Sequence, residues 1–184
     1  MKRLSYNIKQ QGAALAVSLI MLLVLTLLGI AGMQSTIMEE KMAGNMRDKA
    51  IAFQASESGL INGERHSQGS LSLTSPFLAN CTGGLCLPSS TATPVWNNTA
   101  LVNWGTSTNT FLYGVTVAAT NLGLVSAQPQ YIVELLPEPP KSIGQSLGAG
   151  KGSSISTVEI FRVTSRGIGG STNSPVMVQS VYKK

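Results

Sequence analysis

From Ala13 to Met33 the chain carries no charged side chain, and only Ser18, Thr26, Gly29 and Gly32 interrupt its aliphatic residues. A run of about 20 such residues makes a helix that crosses a hydrocarbon core about 30 Å thick. A secretory signal, a membrane anchor and the inner helix of a protein filament can all begin this way. Lys2, Arg3 and Lys9 precede the run and Glu39 and Glu40 follow it. That lysine and arginine bias puts the N-terminus in the cytoplasm and the bulk of the chain outside. A secretory signal has a shorter apolar region, of about 7–15 residues, ending in a small-x-small motif. Ala31-Gly32-Met33 offers only a weak version of that motif, behind a run that is too long.

The helical pattern continues past the membrane-length run. In QSTIMEEKMAGNMRDKAIAFQASESGLINGER, Met42, Met46, Ala50, Phe53 and Leu60 recur as an amphipathic stripe. No proline precedes Pro76, so nothing covalent breaks a helix from Ala13 to Arg65. At 1.5 Å per residue such a helix is roughly 80 Å long. Its first half suits lipid or partner helices, with Gly29 and Gly32 permitting close approach of another helix. Its second half needs a soluble face to lie against. The methionines at 33, 38, 42 and 46 read as adaptable packing residues rather than ligands for a metal or haem.

Composition limits the partners. The formal charge of +5 invites an anionic partner, but setting aside Lys2, Arg3 and Lys9 leaves only about +2, too little for a dedicated nucleic-acid surface. Cys81 and Cys86 enclose CTGGLC, whose paired glycines let a short loop close into a disulfide in an oxidising compartment. The bond would staple a loop rather than create a fold.

Between Arg65 and Glu134 there is no Asp, Glu, Lys or Arg, and the segment is rich in Ser, Thr, Asn and Gly. Trp96 and Trp104 lie inside it, readable either as exposed partner contacts or as anchors that hold a long loop on the core. Strand signals follow near 111–120, 130–136, 156–167 and 175–182, each rich in β-branched or aromatic residues. GIGGSTNSP fits a hairpin connection between the last two. An antiparallel sheet of about four strands, laid on the soluble half of the helix, would bury the Met42 to Leu60 stripe. The expected fold class is therefore α+β. The expected segments are a leader at 1–12, a membrane or filament-core helix at 13–33, an amphipathic helix at 34–66 and a globular domain at 67–184.

No arrangement of catalytic groups stands out. The lone His66 gives no metal constellation, G-x-S-x-G is absent, and SLGAGKGSS lacks the spacing of a phosphate loop. The expectation is a non-enzymatic protein without cofactor or metal.

A short basic leader, a glycine, and an apolar helix that continues as an amphipathic one into a small sheet resemble a type IV pilin. The resemblance is closest to the PilX family of minor pilins. It rests on QQGAALAVSLIMLLVLTLLG at the start and on EEKMAGNMRDKAIAFQASESGL, Glu39 to Leu60. RVTSRGIGGS resembles the family more loosely. The resemblance implies cleavage by a prepilin peptidase after Gly12, N-methylation of Ala13, and retention of the apolar helix in a filament core.

The chain departs from the pilin pattern where mature pilins begin with phenylalanine and place glutamate fifth, because these positions hold Ala13 and Val17. In pilins that carboxylate is thought to pair with the terminal amine of the subunit ahead, and an unpaired one in an apolar helix costs several kcal/mol. A subunit with nothing ahead of it needs no such carboxylate. The resemblance therefore implies a minor pilin that helps initiate assembly and sits at or near the pilus tip, supporting adhesion and twitching motility. Its implied partners are other minor pilins, the major pilin and a large tip adhesin of the PilY type. The alternatives are a minor pseudopilin of a type II secretion system, which usually carries a large insertion and acidic calcium ligands, and a DNA-uptake minor pilin, which would need a basic patch.

Overall fold

The computed structural model describes residues 12–137 and 158–184. Residues 1–11 of the expected leader, and the SLGAGKGSS segment, lie outside the described residues. One helix, α1, runs Ala13–Ser70. The strands are β1 (Leu85–Cys86), β2 (Phe111–Leu112), β3 (Gln130–Leu136), β4 (Ile160–Ile168) and β5 (Pro175–Lys183). The chain divides into two compact units, Met1–Asn45 and Met46–Lys184.

In the first unit, α1 is long and apolar enough to cross a membrane, with a mean hydropathy of 2.7 over its most apolar window. The two hydroxyls of its apolar run are satisfied within the helix. Ser18 Oγ donates to Leu15 O at 2.9 Å and Thr26 Oγ1 to Leu23 O at 2.8 Å. A polar group so bonded can sit in hydrocarbon or in a dry protein core without an unmet partner.

In the second unit the helix packs on a mixed sheet of five strands in the order β1-β3-β4-β5, with β2 also paired to β3. The helix-on-sheet α+β architecture is the expected one. The two long pairings, β3 with β4 and β4 with β5, are antiparallel as expected, but β1 joins β3 in parallel, Leu85 opposite Val133. The strand expected near 111–120 shortens to Phe111–Leu112, because it pairs antiparallel with Tyr131 and Gln130 and then runs off the start of β3. There Tyr113 N donates to Pro129 O at 2.9 Å and the chain turns away.

The buried helix face also differs from the expected stripe. Met42, Met46 and Phe53 are exposed, and of that stripe only Leu60 is buried. The face on the sheet is made instead of small residues: Ala52, Ala55, Ser56, Gly59, Gly63 and Ser67. A Cβ added at Gly63 would stand 2.5 Å from Val163 Cγ1 and 2.9 Å from Tyr131 Cδ2, and one at Gly167 would collide with the backbone of Ala52 and Ser56. Helix and sheet thus touch nearly backbone to backbone, which large residues would prevent. α1 also continues past the expected end at His66. In its last turns Ser67 is fully buried, and its Oγ donates to Gly63 O one turn back at 2.8 Å.

Strand β3 is buried on both faces, which makes the unit three layers. Tyr131 and Val133 join Leu60, Leu71, Phe77, Leu85, Phe161 and Val163 on the helix side. Ile132 joins Cys81, Cys86, Val95, Val102 and Trp104 on the other. The part of the uncharged segment from Cys81 to Trp104 therefore contributes a packed layer over the sheet.

Candidate functional site

Gly12 precedes the first helical residue, and its carbonyl accepts the hydrogen bond of Ala16 N at 3.3 Å. It takes φ of +118°, a conformation that a side chain would disfavour. The expected processing position is thus an exposed helix start built on glycine, with Ala13 as the first helical residue. Val17 lies one turn on and is 57 % exposed, beside Leu15, Leu19 and Ile20, which are also exposed. An added Cβ at Gly29 or Gly32 meets no atom of this chain within 4 Å.

The second group of expected residues lies in the outer layer. Cys81 and Cys86 are both fully buried and stand at disulfide distance, their Cα atoms 4.3 Å apart. Cys81 is in the left-handed region, φ 59°, and the two glycines that follow also take positive φ. Trp104 is only 8 % exposed, and its Nε1 donates to Trp96 O at 3.0 Å. It is an anchor of the layer and has little surface left for a partner. Trp96 is half-buried in the turn Val95–Asn97, with the Arg162 guanidinium 5.1 Å above its ring.

Under that guanidinium lies a buried acid. Glu134 sits opposite Arg162 in the β3–β4 register, is 1 % exposed, and has Oε2 3.8 Å from Arg162 Nε. Burial raises its pKa above the usual carboxylate range, and the Arg162 charge opposes that only in part. Arg166, four residues on from Arg162 in β4, is half-buried, and burial lowers its pKa. It lines a cleft of about 430 Å³ together with Trp96, Asn97, Thr99, Asn103 and Met177, among others.

His66 is absorbed into packing. Its ring meets Phe111 edge-on at 4.7 Å, and its Nδ1 is 3.3 Å from the Tyr131 hydroxyl, which also bonds Thr116. Burial lowers the His66 pKa and pushes Tyr131 up to about 12, the Thr116 hydrogen bond opposing the latter. Asp48 has a clearer structural task. Its carboxylate accepts from Ser171 N at 3.1 Å and from Ser171 Oγ, tying the β4–β5 turn to the helix. Hydrogen bonds from the Ser171 and Ser174 side chains and from the Ser171 backbone lower its pKa to about 2.

Sequence reasoning missed the Glu134–Arg162 pair, the Asp48 tether and the role of Gly59 and Gly63. A lone glutamate inside an apolar strand, QYIVELL, is the signal that pointed to the first. The glycines have the spacing of a helix face, but only the sheet reveals that the face is a contact.

Comparison with curated proteins and with solved structures gives no match. Two family descriptions do match: "PilX N-terminal" over residues 11–60 and "Type IV pilus assembly protein PilX C-term" over residues 82–184. The first spans the helix start with Gly12, Ala13 and Val17, and the second begins just after Cys81 and spans Cys86, the tryptophan layer and every strand of the sheet. With most of its length so matched, the chain belongs to the PilX family of type IV pilus assembly proteins.

Proposed function

We propose that this chain is a minor pilin that helps initiate a type IV pilus and sits at or near its tip, where it supports adhesion and twitching motility. On this reading a prepilin peptidase cuts after Gly12 and the new N-terminus, Ala13, is methylated. Before assembly the protein is anchored in the inner membrane by α1 with its folded unit in the periplasm. The apolar side chains that lie exposed along α1, such as Leu15, Leu22 and Leu25, support this. They need lipid first and partner helices afterwards. Gly29 and Gly32 offer the places of closest approach for other minor pilins and for the major pilin. A PilY-type adhesin would contact the folded unit.

The observation that carries tip placement is Val17 in the fifth mature position. Other pilins present a carboxylate there to the amine of the subunit above. A subunit without it accepts subunits below but joins poorly beneath another, so it caps the growing end. Immunogold labelling of sheared pili should find the protein at filament ends only, and its deletion should reduce pilus number more than pilus length. Val17→Glu should move part of the label into the shafts. Label spread evenly along wild-type shafts would sink the tip reading.

A further inference from the structure

We infer that the cleft between the Val95–Asn97 turn and the β4–β5 hairpin binds an acidic saccharide unit, whose carboxylate is received by Arg166 and whose ring lies against Trp96. This does not depend on tip placement. The cleft, about 430 Å³, is lined by Trp96, Asn97, Thr99, Asn103, Arg166 and Met177, among others. That volume falls in the ordinary range for small-ligand clefts, about 300–1,000 Å³.

The charge points to an anion. Among the described residues the Arg166 guanidinium has neither an ion pair nor a hydrogen bond, although it is half-buried in β4. Its neighbour in the register of the same face, Arg162, is instead matched to Glu134 and stacked on Trp96. Among the described residues no acidic side chain lines the cleft, which favours an arriving carboxylate. A guanidinium presents a planar fork that matches a carboxylate with two parallel hydrogen bonds.

The rest of the lining points to a sugar. Trp96 and Met177 give an apolar wall for the C–H face of a ring. Asn97 and Thr99 are exposed and their side chains make no hydrogen bond among the described residues. Amide and hydroxyl groups both donate and accept, as paired sugar hydroxyls require. An extended peptide fits less well. Its strand would have to pair along β5, and the end of β5 at the cleft is Pro175, which has no N–H to donate.

The only tryptophans in the chain are Trp96 and Trp104, and both line the cleft, so intrinsic fluorescence of the full-length protein in detergent reports on this site alone. Titration with glucuronic acid should give a saturable change. Glucose and acetate should each bind about tenfold more weakly or worse, since each lacks half of the recognition. Arg166→Gln should weaken glucuronate binding by about tenfold or more, and Arg166→Lys should keep part of it. Should Arg166→Gln fail to fold, the exposed Asn97→Ala serves instead and should weaken both sugars. Equal responses to glucuronate and glucose, no saturable response, or unchanged binding by the variants would overturn the inference. So would tighter binding of a short peptide with a free C-terminal carboxylate, which would make the cleft a peptide site.

Discussion

Gly63 offers a direct test of how closely the helix and sheet pack. A methyl group there would stand 2.5 Å from Val163 Cγ1 and 2.9 Å from Tyr131 Cδ2, against about 3.5–4.0 Å for a relaxed carbon contact. Neither neighbour has room to yield, since Val163 and Tyr131 are both fully buried in the sheet. Overpacking of this kind costs about 1–3 kcal/mol. Gly→Ala in a helix interior returns about 1 kcal/mol through propensity. The contacts at Gly63 put the cost at the upper end, so Gly63→Ala should destabilise by about 1–2 kcal/mol, or about 2–8 °C in Tm for a chain of this size. Gly44→Ala is the control, because an added Cβ there meets nothing within 4 Å. It should leave Tm unchanged or raise it slightly. Gly59→Ala should fall between the two, because its main obstacle is the Ser165 hydroxyl, which can rotate, with Pro129 Cβ behind it at 3.0 Å. Thermal unfolding of the detergent-solubilised full chain, followed by circular dichroism, measures all three. Equal Tm values for Gly63→Ala and Gly44→Ala would refute the close approach.

Mass spectrometry of the mature protein should find methylated Ala13 at its N-terminus; an N-terminus near Met33 would restore the secretory-signal reading, and a bulky residue at Gly12 should leave the leader attached. Non-reducing peptide mapping should recover Cys81 linked to Cys86, and losing the bond should cost about 2 kcal/mol on the loop-entropy model, with labelling of both by a thiol reagent as the contrary result. The depressed Asp48 pKa means that the folded form holds the carboxylate ionised. Its tether is therefore fully present above the ordinary aspartate range and is lost as pH falls through about 2, so amide exchange near Ser171 should accelerate there, and Asp48→Asn should show that acceleration already at neutral pH. For Glu134 the raised folded pKa has the opposite sign: the burial penalty is full at high pH and fades as pH falls through the folded value. Glu134→Gln should therefore be at least as stable as wild type at pH 7, with its relative advantage shrinking in acid, and a large loss at pH 7 would show the Arg162 pair to be stronger than its 3.8 Å separation implies.

Much of the candidate site was legible because its signals are local. Gly12, Ala13, Val17 and the apolar run sit at fixed offsets in one helix, and the spacing of Cys81 and Cys86 limits their loop. Strands β3, β4 and β5 were legible for the same reason, as β-branched runs bounded by turn residues. Burial of the helix was not. A stripe of large apolar residues is the usual mark of a core face, yet Met46 and Phe53 are exposed while Ala52, Gly59 and Gly63 face the sheet. Periodicity tells which residues share a face, but not which face the sheet approaches, and close approach selects small residues over apolar ones.

The sequence by itself determined the elements whose energetics are local: a helix of membrane length, its continuation without proline, and three β-rich strands ahead of the C-terminus. Tertiary structure alone decided what depends on residues distant in the chain. It set Cys81 to Trp104 as a second layer over Ile132, brought Glu134 opposite Arg162, buried Trp104 while leaving Trp96 half-exposed, and tied Asp48 to Ser171. These pairings join residues far apart in the chain, so no window of sequence contains both partners, and only the sheet register and the helix-to-sheet distance bring them together.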